Sequence, residues 1–257
     1  NKPFSDNKIT ELYDLEKPAN PIESISGLSL WLDATNVDGD NNRSIEDGTS
    51  VTNWMDISGN NNSIISFSDS NPVLQKNQYN YKDVVNFTYD ALRSENNIPI
   101  QSIYIVHKTQ HTGYLGDFRN GVSDSYLWRG HIGSYWKRYY NNGKSNSSSG
   151  STTFNNQFQL SLFEADSQGN GQFHLHARYS NNEFGSGQIA EVLIFNRALN
   201  TNEKININHY LAKKWGLLST VDSDGDGQFD SSDAHPSEFH VSSYDFNNLS
   251  PVTPEEG

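Results

Sequence analysis

Turn-forming clusters cut this chain into short pieces. NNN at 60–62, NNG at 141–143 and NNEFG at 181–185 are the clearest, and asparagine and glycine favour turns because they tolerate left-handed backbone angles. Between the clusters, apolar and polar residues alternate. In "ISGLSLWLDATN", Leu28, Leu30 and Leu32 alternate with Ser29 and Trp31, which predicts a strand buried on both sides. "SVTNWMDISGNNNS" predicts a short strand ending in a turn at residues 58–62. "DVVNFTYDALRS", "SIYIVHKT", "FQLSLFEAD", "GQFHLHARYS" and "GQIAEVLIFNRAL" are further strand candidates, rich in β-branched and aromatic residues. "DSYLWRGHIGSYWKRYYNNGKSNSSSGS" breaks at Asn142-Gly143, a hairpin turn pair. Many short strands between turn clusters predict an all-β sandwich.

Such a chain needs a core, and only 33% of its residues are apolar. Its 13 Tyr, 13 Phe and 5 Trp supply the missing area, since one aromatic side chain buries roughly 150–250 Å². The 257 residues accommodate one large all-β domain with appendages, or two ordinary domains. One helix is expected: Asn200 caps "TNEKININHYLAKKWGL" with Glu203 three residues on, a capping-box pattern. Ile207, Tyr210, Leu211, Lys214 and Trp215 make its buried stripe, and Gly216 stops it. Residues 1–25, with Pro3, Pro18 and Pro21, read as a lead-in segment. The sandwich is expected over 26–218, with an acidic tail over 219–257.

The net charge of −13 argues against nucleic acid and anionic membrane surfaces as partners, and suits divalent cations and neutral ligands such as sugars. With no cysteine, neither disulfides nor thiolate chemistry is available. No stretch approaches the roughly 18 apolar residues that a membrane span needs. The chain begins with Asn and shows no signal peptide, so a mature product or an excised piece of something longer is expected.

The segments "GLSLWLDATNVDGDNN…DGTSVTNWMDISGNNN" and "GQIAEVLIFNRALNTNEKININHYLAKKWGL", with the "RYYNNGK" hairpin at 138–144, resemble concanavalin A-like, laminin-G-type domains of bacterial surface and secreted proteins. The resemblance covers about residues 26–218. It implies a two-sheet antiparallel jelly roll and an extracellular setting, with carbohydrate or protein ligands, often with calcium. Some relatives are glycoside hydrolases or polysaccharide lyases, so fold alone does not decide function.

"VDSDGDGQFDSSDAHP" at 221–236 holds five aspartates. It resembles the calcium repeat of thrombospondin type 3 segments, and the calcium loops of EF-hand and dockerin modules. Calcium takes six to eight oxygens, and an EF-like loop supplies them at positions 1, 3, 5, 7, 9 and 12. Counted from Asp222, these are Asp222, Asp224, Asp226, Gln228 by its carbonyl, Asp230 and Asp233, with Gly227 at the sharp turn. Carboxylates held this close repel by roughly 1 kcal/mol per pair even in water, so a cation is expected to order them. A second candidate is "NVDGDNNRSIEDG" at 36–48, where Asp38, Asp40 and Asn42 alternate and Glu46 or Asp47 could close a shell. Position 12 there is Thr49, so it is not an EF loop, and an Asx-rich turn is the alternative. Asp33 and Asp56 are candidates to hold the neighbouring loops or cap turns.

Sugar sites pair stacked aromatics with fixed polar groups. "YLWRGHIGSYWKRYY" offers Tyr126, Trp128, Arg129, His131, Tyr135 and Trp136 as candidates, unless these rings line the core. Catalysis has less support. The E-x-D-x-x-E strand of laminarinase-like relatives is missing. Glu164 and Asp166 share a face, but a loop is expected directly after them. Lyases of this fold resemble one another in a Gln-x-His strand beside Tyr and Arg. "FHLHARY" supplies His174, His176, Arg178 and Tyr179, read as lacking the Gln in register and as a core strand. The expectation is therefore no enzyme, but a calcium-binding, carbohydrate-binding module for adhesion or polysaccharide targeting. A structural surface protein contacting other subunits is the alternative, and a polysaccharide-degrading enzyme the second.

Overall fold

The computed structural model describes residues 20–109, 113–128, 131–146, 156–181 and 183–238. Most of the lead-in segment, the chain beyond residue 238 and the candidate Arg129 lie outside them. The described residues form a mostly antiparallel β protein with two α-helices, α1 (Pro21–Ser24) and α2 (Thr201–Trp215).

The strands are β1 (Leu28–Asp33), β2 (Asn53–Trp54), β3 (Ile64–Ser66), β4 (Val73–Tyr79), β5 (Lys82–Thr88), β6 (Leu92–Thr109) and β7 (Tyr114–Asp117). They continue as β8 (Leu127–Trp128), β9 (His131–Ile132), β10 (Trp136–Asn141), β11 (Lys144–Asn146), β12 (Gln159–Leu175) and β13 (Ser186–Phe195). Two long strands, β6 and β12, form the spine. They pair antiparallel from Gln159↔His107 to Leu175↔Leu92, with register shifts between Glu164 and Gly169 and between Gln172 and His174. β13 flanks β6 on one side, with β1 and β5 beyond it. β10 and β7 share the far edge of β12. β7, β8 and β9 follow as a ladder ending the sheet path.

Two expectations are corrected here. "FQLSLFEAD" and "GQFHLHARYS" were read as separate strands with a loop after Asp166. Instead β12 runs unbroken through Gly169–Asn170–Gly171, because β6 supplies pairing partners Ile100, Pro99 and Ile98 opposite them. "DVVNFTYDALRS" divides instead: β5 ends at Thr88, Tyr89 takes φ 59°, and Leu92 opens β6. β1 matches its pattern, buried from Ser29 to Asp33. Asn142 and Gly143 turn the β10–β11 hairpin with φ 51° and 81°, the primed turn that fits strand twist.

α2 forms as its sequence dictates. Asn200 and Glu203 complete a capping box, and Gly216 ends the helix at φ 68°. Its buried residues include Ile207, Leu211 and Trp215, while Tyr210 and Lys214 are half-buried. Asp33 and Glu191 pair across β1 and β13, and both receive Lys214. The Nε1 groups of Trp31 and Trp215 donate to the two oxygens of Glu191 at 2.8 and 2.6 Å. At the other end of the helix, Lys204 reaches Glu164 at 3.2 Å. A helix with two lysine stems is thus seated on buried carboxylates of the sheet.

Candidate functional site

Three backbone features place the acidic run. Leaving α2, the chain folds back so that Asp222 N–H donates to Asn142 O of the β10–β11 hairpin at 3.1 Å. Gly143 permits that approach, since a Cβ there would stand 1.8 Å from the Asp222 carbonyl oxygen. On the other side, Asn208 of α2 donates to Ser223 O. The loop is clamped between helix and hairpin.

Within it, Asp222, Asp224 and Asp226 each fold the backbone ahead of them. Asp222 accepts from Gly225 and Gly227 N–H, Asp224 from Asp226 N–H, and Asp226 from Gln228 N–H. Gly227 takes φ 101°, the left-handed conformation its position demanded. One oxygen from each of Asp222, Asp224 and Asp226 lies within 4.8 Å of the others, the one such group of three among the described residues. Asp222 is 2% and Asp224 7% exposed. Asp224 Oδ2 is buried with no hydrogen-bond partner. Burial raises the Asp224 carboxyl above the ordinary aspartate range, and the charges of Asp226, Asp233 and Asp222 add to this against the bond from Asp226 N–H. A buried, unsatisfied, repelled carboxylate is costly. The three carboxylates make an all-oxygen donor set, the kind that could hold a hard cation.

The remaining expected ligands behave differently. Asp230 is spent on structure: Oδ1 accepts from Ser223 N–H at 2.8 Å, and Oδ2 faces Ser223 Oγ at 2.8 Å and His209 Nδ1 at 3.0 Å. It fastens the loop to α2 rather than joining the three clustered carboxylates. Asp233 accepts from His235 N–H. Gln228 is exposed, and its amide donates to Asp226.

The second acidic candidate is a turn, not a cluster. Asp38 Oδ1 accepts from Asp40 and Asn42 N–H. Asn42 is 2% exposed, with its amide committed to Val37 N–H, Ala34 O and Asp83. Asp40 lies 3.5 Å from Arg43, and Glu46 is exposed. Asp38 and Asn42 hold the turn shut from inside, while Asp40, Arg43 and Glu46 lie on its outer face. Asp56 likewise caps turns, accepting from Trp31, Ser58 and Asn62 N–H.

The aromatic candidates separate by burial. Trp136 is 1% exposed, against Phe118, Phe163 and Tyr135, so it belongs to the core and no sugar ring reaches it. Tyr135 is half-buried, its hydroxyl donating to Ile100 O and 3.0 Å from Ser167 O. Trp128 and His131 are exposed around the β8–β9 hairpin, Trp128 to 38%, and Tyr126 beside them is half-buried. Tyr126 stacks on His131 at 5.4 Å and bonds it through its hydroxyl.

The sequence reading missed the group that organises this surface. Arg119 lies over the rings of Tyr126, Tyr179 and Tyr114 at 4.7, 4.9 and 5.4 Å. Asp117, fully buried, fixes the guanidinium through both its oxygens. A cavity of about 370 Å³ opens beside it, lined by Arg119, Gly121, Ser123, Asp124 and Tyr179. The available signal was local: "GDFRN" is an Asp-x-Arg turn in which Asp117 also accepts Arg119 N–H.

The residues considered for catalysis are placed unfavourably. Glu164 is 1% exposed beneath Lys204 and Arg138, and Asp166 is tied to the same arginine. Gln172 does stand two residues before His174, which corrects the reading of that run. Its amide, however, is bound to Asn120 and Ser94. His174 is 1% exposed, edge-on to Phe67, with its pKa lowered by burial. Among the described residues, no helix is long and apolar enough to cross a membrane. Comparison with protein-family models, curated proteins and solved structures finds no match for the chain.

Proposed function

We propose that the chain is a calcium-binding, carbohydrate-binding module of a secreted or cell-surface protein, built as a two-sheet jelly roll of laminin-G type. The observation that carries this reading is the convergence of Asp222, Asp224 and Asp226 around a buried, partnerless carboxylate oxygen. Calcium is the hard cation whose loops use alternate aspartates followed by glycine. It orders the segment that leaves the sandwich and locks it to α2 and the β10–β11 hairpin. The sugar surface is that of Tyr126, Trp128 and His131 with Arg119 and Tyr179, where the half-buried ring of Tyr126 and the exposed ring of Tyr179 flank one fixed guanidinium. Planar aromatic faces suit the apolar face of a pyranose, and the polar rim supplies orientation.

Calorimetric titration of the full chain with calcium, magnesium and EGTA tests the metal. One equivalent of calcium bound by the native chain and none by Asp224→Asn supports the reading. A thermal midpoint indifferent to calcium and chelator sinks it. Glycan-array binding by the wild-type chain, lost in Trp128→Ala, tests the sugar surface.

A further inference from the structure

The cavity of about 370 Å³ beside the β7–β8 connection has two charged residues in its lining, Arg119 and Asp124. We infer that it takes an uncharged saccharide and turns away uronates and sulfated sugars, with Asp124 as the residue that sets the selection. The inference rests on the sugar-surface reading above and names the class of sugar.

An arginine in a ligand cavity suits a carboxylate or another oxyanion when its charge is unanswered. Here it is answered from within the protein. Asp117, fully buried, accepts from Nε and Nη2 of Arg119 at 2.7–3.1 Å, and from the backbone N–H groups of Arg119 and Tyr179. Nη2 also donates to the Tyr114 hydroxyl at 3.1 Å. The Tyr126 and Tyr179 rings flank the guanidinium at 4.7 and 4.9 Å. Of its nitrogens, only Nη1 makes no hydrogen bond among the described residues. What Arg119 offers a ligand is one fixed donor on a charge already paired.

Asp124 is the converse. Its Oδ2 accepts from Ser134 N–H at 2.7 Å, and among the described residues it has no ion pair. The bonds from Ser134 hold its carboxyl below the ordinary aspartate range, with the charges of Arg119 and His131 adding less, so it is ionised at neutral pH. Arg119 and Asp117 cancel, and Asp124 leaves the cavity negative. The chain's net charge of −13 has the same sign.

A carboxylate or sulfate only accepts hydrogen bonds. It could use Nη1 of Arg119 but would face Asp124 as a like charge. A sugar hydroxyl both donates and accepts, so a neighbouring pair of hydroxyls uses Nη1 and Asp124 together. Ser123 adds a hydroxyl to the same wall, and the exposed ring of Tyr179 gives an apolar face for the pyranose.

The test is a glycan array carrying neutral, uronate-bearing and sulfated glycans, probed with the full chain, Asp124→Asn and Tyr179→Ala. The wild-type chain should bind neutral glycans and not their acidic counterparts. Asp124→Asn keeps a side-chain oxygen for Ser134 N–H. Its ratio of acidic to neutral binding should rise about tenfold, the order of one like-charge contact near a protein surface. Loss of folded protein does not change that ratio. Tyr179→Ala should weaken neutral binding by about tenfold. Acidic glycans bound as well as neutral ones, or an unchanged ratio in Asp124→Asn, overturns the inference and leaves the sugar reading standing. Neutral binding left intact by Tyr179→Ala places the sugar outside this cavity and overturns the inference too. If no glycan binds, the sugar reading falls and takes the inference with it.

Discussion

Lys214 Nζ lies 2.7 Å from Glu191 Oε2, an ammonium on the last turn of α2 against a carboxylate buried in β13. Asp33 stands 2.6 Å from the same nitrogen. Burial alone would lower the Lys214 pKa, but the charges of Glu191 and Asp33 outweigh it and raise it. Burial raises the Glu191 carboxyl, with Lys214 opposing. Replacing Lys214 by Met leaves two carboxylates uncompensated, a loss of about 3–5 kcal/mol. Glu191 then becomes harder still to ionise. A group with a raised folded pKa favours the native state at low pH and loses that contribution as pH rises. Urea denaturation should therefore show a larger deficit for Lys214→Met at pH 8 than at pH 5.

Gly143 makes a second test, of how the acidic loop is docked. A Cβ there meets the Asp222 carbonyl oxygen at 1.8 Å, and φ is already +81°. Gly143→Ala should cost more than about 1 kcal/mol and weaken calcium binding, because Asp222 must move. Gly48→Ala is the control: its φ is +78°, with no atom within 4 Å. It should show the backbone strain with calcium affinity unchanged, both read by calorimetry.

Two buried histidines make the fold less stable in acid. His107 is lowered to about 3 by burial and, less, by the nearby charge of His176. Burial lowers His176 to about 3 as well. Both are neutral in the native state while the unfolded chain takes up protons below its ordinary histidine value, near 6.5. Stability is thus complete above about pH 6.5 and falls as pH drops toward 3, by roughly 1.4 kcal/mol per pH unit per histidine. His107→Gln should reduce the slope of unfolding free energy between pH 6.5 and 5 by an amount approaching roughly 1.4 kcal/mol per pH unit, leaving the contributions of His176 and His174 in place.

The parts of this structure written in local spacing were legible in the sequence. α2 carries its cap, stripe and stop within seventeen residues, and the Asn142-Gly143 hairpin within two. The aspartates of the acidic run were legible as a cluster only for Asp222, Asp224 and Asp226, whose geometry is made by their own Asx turns. Asp230 obeys the same spacing, yet His209, on a helix twenty-one residues earlier, takes its second oxygen. Nor does periodicity show that "SQGNG" continues a strand. Gly169, Asn170 and Gly171 have turn propensity, and only pairing with β6 overrides it. Pro99 lies in β6 opposite Asn170, where a proline argues against a strand until the partner is known.

Trp128 and Trp136 share one aromatic, alternating stretch but should respond in opposite ways to truncation. Trp136 opens β10, faces Phe118 and Phe163, and donates its Nε1–H to Ser125 O at 3.1 Å. Its loss leaves a cavity and an unbonded carbonyl, and Trp136→Ala should cost about 3–5 kcal/mol. Trp128 sits in a two-residue strand near the end of the sheet path and is 38% exposed against 1% for Trp136, so its truncation removes less packing. Trp128→Ala should keep the wild-type urea midpoint within the change of roughly 0.5 kcal/mol typical of surface sites, and lose at least tenfold in affinity for the glycan found on the array. Equal destabilisation by the two replacements would place Trp128 in the core and remove it from the sugar surface. Unchanged glycan affinity in a well-folded Trp128→Ala chain would remove Trp128 from the sugar surface.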